Sequence, residues 1–234
     1  MTYHYQTLSD GTVQIWNGNA WETPWPSDAE IALFEKQTKQ WLGMVSDAVA
    51  RYGLPPVLTY LVLAIIYSES AGDPNSGPSF DNGVGLMAIT SQSLKKKPGG
   101  GYYTADELKD PQLNIDIGVG QMIAPEYAVM GDDPPQIASG FNGGFSKTTG
   151  ANKSNEAPWG WREYKIPSTG AYPYISKVVR INNYAVATLG GQIPSAPPDT
   201  SGDVPNGASS VGTAFALGAF ALLGFALWKK GYLG

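Results

Sequence analysis

Residues 57–90 read VLTYLVLAIIYSESAGDPNSGPSFDNGVGLMAIT. Nearly every position from Val57 to Ile66 is apolar, and Pro55 and Pro56 stand just before the run. Proline is tolerated in a first helical turn, where its missing N–H would be unpaired anyway, so the spacing predicts a helix starting here. The run is too short, and too closely flanked by polar residues, to cross a bilayer, which leaves a buried core helix. Its one carboxylate, Glu69, falls at the C-terminal end. Ile66, Ile65 and Val62, three, four and seven residues earlier, share its face. A carboxyl leaning on apolar surface at the negative end of a helix dipole is expected to hold its proton more tightly, as a general acid needs. The competing reading of Glu69 is a side chain that emerges into solvent as its helix ends, and spacing alone leaves both open. A Gly/Pro/Asp/Asn loop follows, then the compact apolar segment Gly85 to Thr90.

Working outward, the chain has 234 residues, enough for one sizeable core with appendages. Only 15% of residues are charged, and 29 glycines and 18 prolines imply long loops around that core. A net charge of −5 without a basic patch argues against nucleic acid as a partner. There is no cysteine, hence no disulfide framework and no thiolate nucleophile. The single histidine, His4, makes a Ser-His-Asp triad or an imidazole-rich metal site improbable, so no metal and no cofactor is expected. Acid–base chemistry would then fall to carboxylates, with Tyr or Lys as outside possibilities.

Residues 1–26 are aromatic and β-prone. Val13 to Trp16 and Ala20 to Glu22 flank Asn17-Gly18-Asn19, a hairpin signal. Trp16, Trp21 and Trp25 offer a sugar-stacking platform, though aromatics of this kind more often cover a neighbouring core. Ser27 to Tyr52 reads as one long helix, opened by a Ser27/Glu30 capping box and ended by Gly53 and Pro55. Ser91 to Lys97 reads as a short helix. Thr104 with Glu107 is a second capping box. Asp110-Pro111 opens a helix to about Ile123, with Pro125 and Gly131 as punctuation. Asp133-Pro134 opens a short helix through Ser139, followed by a turn at Gly140 to Gly144. Phe145 to Ala171 is a long loop carrying Trp159, Trp161 and Arg162, suited to stacking on sugars or to packing. Tyr174 to Leu189 is a last helix, and a Pro/Gly/Ser linker follows.

Ala208 to Trp228 is an uncharged stretch of 21 residues followed by Lys229 and Lys230. That length and flank predict one transmembrane helix with a cytoplasmic C-terminus, which puts the bulk of the chain outside the cytoplasm. No signal peptide is visible at the N-terminus. The expected organisation is a β-hairpin segment (1–26), a helical domain (27–190), a linker (191–207), the membrane helix (208–228) and a basic tail (229–234).

Five motifs stand in order: Ile65-Ile66-Tyr67-Ser68-Glu69-Ser70; Gly85-Leu86-Met87-Ala88-Ile89; Asp110-Pro111 with Asn114-Ile115 and Gly118; Gly140-Phe141-Asn142-Gly143-Gly144; and Tyr174-Ile175 with Val178. Together they resemble the lysozyme-like domain of soluble lytic transglycosylases, relatives of goose-type lysozymes, over about residues 55–185. The resemblance implies a mainly α-helical lysozyme-like fold and cleavage of the β-1,4 bond between N-acetylmuramic acid and N-acetylglucosamine in peptidoglycan. It implies Glu69 as the catalytic acid and base, and Ser70, Met87, Asn142 and Tyr174 around the cleft; Trp159 and Trp161 join them as candidate substrate-binding residues. The family's Ala-Tyr-Asn-Ala-Gly motif maps onto Gly140 to Gly144. Ala88 stands where the family usually has Gln, Phe141 where it has Tyr, and the Glu-Thr-Arg that often precedes the Tyr-Val motif is absent.

One glutamate suffices for a transglycosylase, because the muramic sugar's own C6 hydroxyl closes onto C1. A hydrolytic lysozyme needs a second carboxylate to hold a water, and Asp73 and Asp81 are the candidates. Both also read as turn residues. The expected function is peptidoglycan cleavage by lytic transglycosylation, with the membrane and virion proteins as further partners. Peptidoglycan lies outside the cytoplasm and no signal peptide is seen, so the chain resembles a phage virion-associated muralytic enzyme. The alternatives are a muramidase, a bacterial wall-remodelling enzyme, and a non-catalytic glycan-binding or structural module.

Overall fold

In the computed structural model the described residues are 4–16, 18–79, 82–90, 97, 100–143, 145–146, 150–151 and 174–192. Most of them are helical. The expected hairpin is present, with β2 (Val13–Trp16) antiparallel to β3 (Trp21–Glu22), and β1 (His4–Thr7) adds a third strand on the other side of β2. This sheet buries Val13, with Tyr5 and Ile15 at its side, against Ile175 and Val179 of the last helix. Trp21, tilted against Trp16, stays 41% exposed, whereas Trp25, 48% exposed, sets its ring against the edge of Tyr184 in the last helix at 5.6 Å. Within the strands, alternation gives the inward positions to Val13 and Ile15.

The helix expected over Ser27 to Tyr52 is broken in the middle. The Ser27/Glu30 capping box opens α1 (Asp28–Leu33), a π-turn follows at Phe34–Thr38, a 3₁₀ turn at Lys39–Trp41, and then α2 (Leu42–Arg51). The π-turn inserts an extra residue, and the loop after Glu69 docks at this break. Gly72 lies against the carbonyl of Gln37, and its own carbonyl accepts a hydrogen bond from Trp41 Nε1 at 3.0 Å.

α3 (Leu58–Ser70) is the buried helix that the sequence predicts. The Pro55 and Pro56 carbonyls accept the N–H groups of Leu58 and Thr59. All ten residues from Leu58 to Tyr67 are buried, which explains why the run has no polar face. Each large aliphatic side chain enclosed here contributes about 1.5–3 kcal/mol relative to exposure. The helix stops at Ala71 (φ 53°) and Gly72 (φ 87°), both left-handed. A methyl group on Gly72 would stand 2.5 Å from Gln37 O. We expect Gly72→Ala to lower stability by about 2–3 kcal/mol, combining left-handed strain with overpacking against backbone; urea denaturation reads it.

β4 (Gly83–Val84) and β5 (Ile89–Thr90) form a two-stranded ribbon around Gly85 to Ala88. The Thr104/Glu107 capping box opens α4 (Ala105–Leu108), and Asp110 caps α5 (Pro111–Gly118) through the N–H of Leu113 at 2.8 Å. Pro125 does not end this region. A π-turn at Val119–Ile123 carries the chain into α6 (Ala124–Met130), and its wider ladder accommodates the proline. Gly131 then terminates the helix. α7 (Pro134–Gly143), capped by Asp133, runs through Gly140 to Gly143, so the expected turn there is the helix's own last turn. β6 (Phe145–Ser146) and β7 (Gly150–Ala151) form a small ribbon within the predicted long loop. α8 (Tyr174–Leu189) closes the fold with the predicted boundaries and packs along α3 and α7.

Two buried asparagines fasten the N-terminal sheet to α8. Asn183 Oδ1 accepts from Val13 N and its Nδ2 donates to Val13 O and Pro24 O, while Asn182 Nδ2 donates to Gly11 O, all at 2.8–3.0 Å. Among the described residues no helix is long and apolar enough to cross a membrane. Residues 208–228, 159, 161 and 81, and residues 91–96 of the helix expected over Ser91 to Lys97, lie outside the described residues.

Candidate active site

Glu69 sits in the last turn of α3, partly buried. Three neighbours of the helix end hold that turn in place. Ser70 Oγ donates to the Leu86 carbonyl (2.9 Å) and accepts from Gly72 N (3.1 Å), joining the helix to the Gly85–Ala88 turn. Lys177 Nζ donates to the Ser68 carbonyl at 3.3 Å. Trp41 holds the carbonyl of Gly72.

The Gly85–Ala88 turn is anchored from behind by Asn114, which is fully buried. Its Oδ1 accepts from Met87 N, and its Nδ2 donates to Val84 O and to Leu108 O, each at 2.8 Å. Glycine is required at position 85 because a β-carbon would meet Asn114 Nδ2 at 2.3 Å. Met87 is also fully buried, and its sulfur lies over Gly118 of α5. The expected cleft residue Met87 is thus placed in the core beneath the turn, and Ser70 is engaged with backbone.

Tyr174 begins α8. Its hydroxyl is shut off from solvent without a well-formed hydrogen bond. Burial pushes the phenol well above its ordinary range, and the neighbouring Glu69 charge, a loose hydrogen bond toward Glu69, and the Glu126 charge raise it further. The structure therefore brings Glu69 and Tyr174 together. Asn142, in the last turn of α7, likewise carries a solvent-shielded Oδ1 without a hydrogen-bond partner. Orphaned polar atoms of this kind are uncommon in proteins, and each calls for an explanation such as a catalytic role or a bound partner.

Asp73 is exposed and its Oδ1 accepts from Asn75 N at 2.9 Å, the turn geometry that its sequence context suggests. Sequence reasoning passed over Glu126, on α6. It is 2% exposed and stands against Gly140, where a methyl group would come within 3.2 Å of its Cδ. Gly140 occupies the first position of the motif in which the family carries Ala. A buried carboxylate opposite a glycine is a pairing that only the folded chain reveals. Among the described residues no group of three or more His, Cys, Asp or Glu is arranged to hold a metal ion.

Residues 44–162, half of the chain, match the Transglycosylase SLT domain. The chain belongs to the transglycosylase SLT domain family. Within the matched span lie Glu69, the Gly85–Ala88 turn, Asn114 and the Asn142 turn. The chain is also 32% identical over 120 residues to the endo-type membrane-bound lytic murein transglycosylase A of Salmonella paratyphi B, and equally to its counterparts in Salmonella enteritidis and Salmonella typhimurium. The aligned stretch covers 49% of this chain and 55% of each relative, so the chain spans about half the length of the curated relatives it matches. The SLT domain here is completed by α8, beyond the matched span, which contributes Tyr174 and Lys177.

Proposed function

We propose that the protein is a lytic transglycosylase that cleaves the bond between N-acetylmuramic acid and N-acetylglucosamine in peptidoglycan, with Glu69 as its acid and base. One observation carries the reading: the only acidic residue of α3 lies at the end of a fully buried helix, facing the solvent-shielded hydroxyl of Tyr174. Membership of the SLT family and the likeness to murein transglycosylases support the substrate class.

In the first half-reaction Glu69 donates its proton to the glycosidic oxygen, and the C1–O4 bond breaks. In the second, the carboxylate takes the proton of the C6 hydroxyl of the same muramic residue while O6 bonds to C1, giving a 1,6-anhydro end without water. The cleft's polar groups stabilise the oxocarbenium-like state, and Asn142 Oδ1 and the Tyr174 hydroxyl are its available partners. A hydrolase needs a second, accessible carboxylate. Asp73 is occupied in its turn and Glu126 is closed off from solvent, which favours the intramolecular nucleophile over a muramidase. Trp159 and Trp161 belong to the proposal as candidate glycan contacts, and Asp81 is the candidate second carboxylate of the muramidase reading.

The location rests on the sequence. A single-pass anchor at residues 208–228 places the catalytic domain outside the cytoplasm, and the relatives' membrane-bound character supports an envelope location. Delivery in a phage virion is the proposed route to the wall. Detection of the protein in purified virions supports this route, and its presence in uninfected cells overturns it.

The activity is tested by mass spectrometry of fragments released from purified peptidoglycan. Anhydro-muropeptides support the proposal, whereas reducing ends indicate a muramidase. Binding without release, equal for wild type and Glu69→Gln, indicates a non-catalytic module. Tyr174→Phe separates catalysis from packing. It removes a buried hydroxyl without a good partner, so stability holds or rises by up to about 1 kcal/mol, while turnover falls on the order of tenfold or more.

A further inference from the structure

Lys177 takes no part in the chemistry above, yet its ammonium is held against the end of the helix that carries Glu69. It lies on the α8 turn that follows Tyr174 and is largely withdrawn from solvent. Its Nζ donates to the carbonyl of Ser68, the residue before Glu69, at 3.3 Å, and stands 4.9 Å from the centroid of the Tyr67 ring, the residue before that. Two successive residues of α3 thus hold one ammonium group, and Glu69, next in the chain, acts on it through its charge. The Ser68 carbonyl is among the last four of the helix, which have no partner within it, and a cation at this end opposes the helix dipole. The arrangement is built from both sides. Arg180, one turn further along α8, is paired at 2.7 Å with Glu30, the capping-box residue of α1. That pair takes up the neighbouring carboxylate and leaves Lys177 directed at the end of α3.

We propose that Lys177 is the positioning residue of this site: its ammonium caps the last turn of α3 and supplies the counter-charge against which Glu69 gives up and regains its proton. The proposal rests on the reading of Glu69 as acid and base. Burial and the helix end both favour the neutral acid, which serves bond breaking; the second half-reaction needs the carboxylate. A cation held one residue away restores the balance. The groups around Glu69 agree with this. Tyr174 on α8 stays a neutral phenol directed toward Glu69, Glu126 on α6 lies near the same hydroxyl, and Lys177 adds a positive charge that favours the Glu69 carboxylate. Burial lowers the Lys177 ammonium below its ordinary value, Glu69 and Glu30 hold it up, and Arg180 lowers it again, as expected for a cation enclosed between two carboxylates.

The experiment titrates Glu69 directly in the full-length protein carrying ¹³C-carboxyl-labelled glutamate, its resonance assigned by its loss in Glu69→Gln, alongside the pH profile of peptidoglycan cleavage. Lys177→Gln keeps a donor for the Ser68 carbonyl and removes the charge. We expect the Glu69 titration and the alkaline limb of the activity profile to move upward together by roughly one pH unit, the scale of one partly solvated opposite charge. Lys177→Arg should restore both to within a few tenths of a unit. A Glu69 titration unchanged in Lys177→Gln overturns the proposal, even if stability falls, because a purely structural lysine would alter folding without moving that midpoint. Lys177→Met removes the donor as well, and if it fails to fold the Gln and Arg variants still decide. A shifted Glu69 midpoint in a protein without activity on peptidoglycan would leave Lys177 in place and overturn the catalytic reading instead.

Discussion

Glu69→Gln is expected to abolish release of anhydro-muropeptides, lowering turnover by about 10²–10⁴-fold, the usual contribution of a positioned proton donor, and by more because the same group serves both half-reactions. The variant should fold as the wild type does. Gln has the same shape and occupies the same last turn of α3, and removing a negative charge from a helix C-terminus is favourable in itself. That gain offsets the lost attraction of Lys177, so the unfolding midpoint should shift by the equivalent of less than about 1 kcal/mol. Binding to insoluble peptidoglycan should persist. Measured together, turnover, stability and sedimentation with peptidoglycan isolate the proton-transfer step. Substantial residual cleavage by Glu69→Gln would remove Glu69 from its role and direct attention to Glu126.

Asn114→Ala is expected to give the largest loss of stability of any single polar substitution around the site. Three backbone groups depend on the Asn114 amide: the Met87 N–H and the Val84 and Leu108 carbonyls, all at 2.8 Å. Alanine leaves them buried without partners, each costing about 1–3 kcal/mol, and the cavity adds to that. A total of about 3–5 kcal/mol is expected, partly relieved wherever water enters, and read as a lower urea midpoint at unchanged slope. Activity at temperatures where the variant is still folded should fall as well, because the Gly85–Ala88 turn supports Ser70 and hence the Glu69 helix end. Full activity together with lost stability would show that the turn's position does not matter to catalysis.

The elements that the sequence predicted well have local physical causes. Ser27 with Glu30, Thr104 with Glu107, and Asp110 before Pro111 each satisfy helix-end N–H groups from within four residues, and all three caps are present. The apolar run of α3 could be buried only as a helix with no solvent-facing side. The misplaced elements have long-range causes. The break in the first helix exists because Gly72 and Trp41 meet there across the fold, and the continuation through Pro125 depends on a π-turn that no local signal announces. The asparagines that hold the turn and the sheet, Asn114, Asn182 and Asn183, look like ordinary helix residues until the strands they bond are in place.

The sequence by itself determined the buried helix, its terminal Glu69, the helix caps and the order of motifs that marks the SLT family, because each is set by neighbours within a turn or two. Only the tertiary structure decided what surrounds Glu69. It put Met87 in the core and turned Ser70 onto backbone. It also placed Tyr174, Lys177 and Glu126, between 57 and 108 residues away along the chain, in the electrostatic environment of the site. Burial and charge at a site are sums over all groups nearby in space. Sequence spacing reports only those nearby along the chain, so Glu69 at its helix end was legible and its neighbours in space were not.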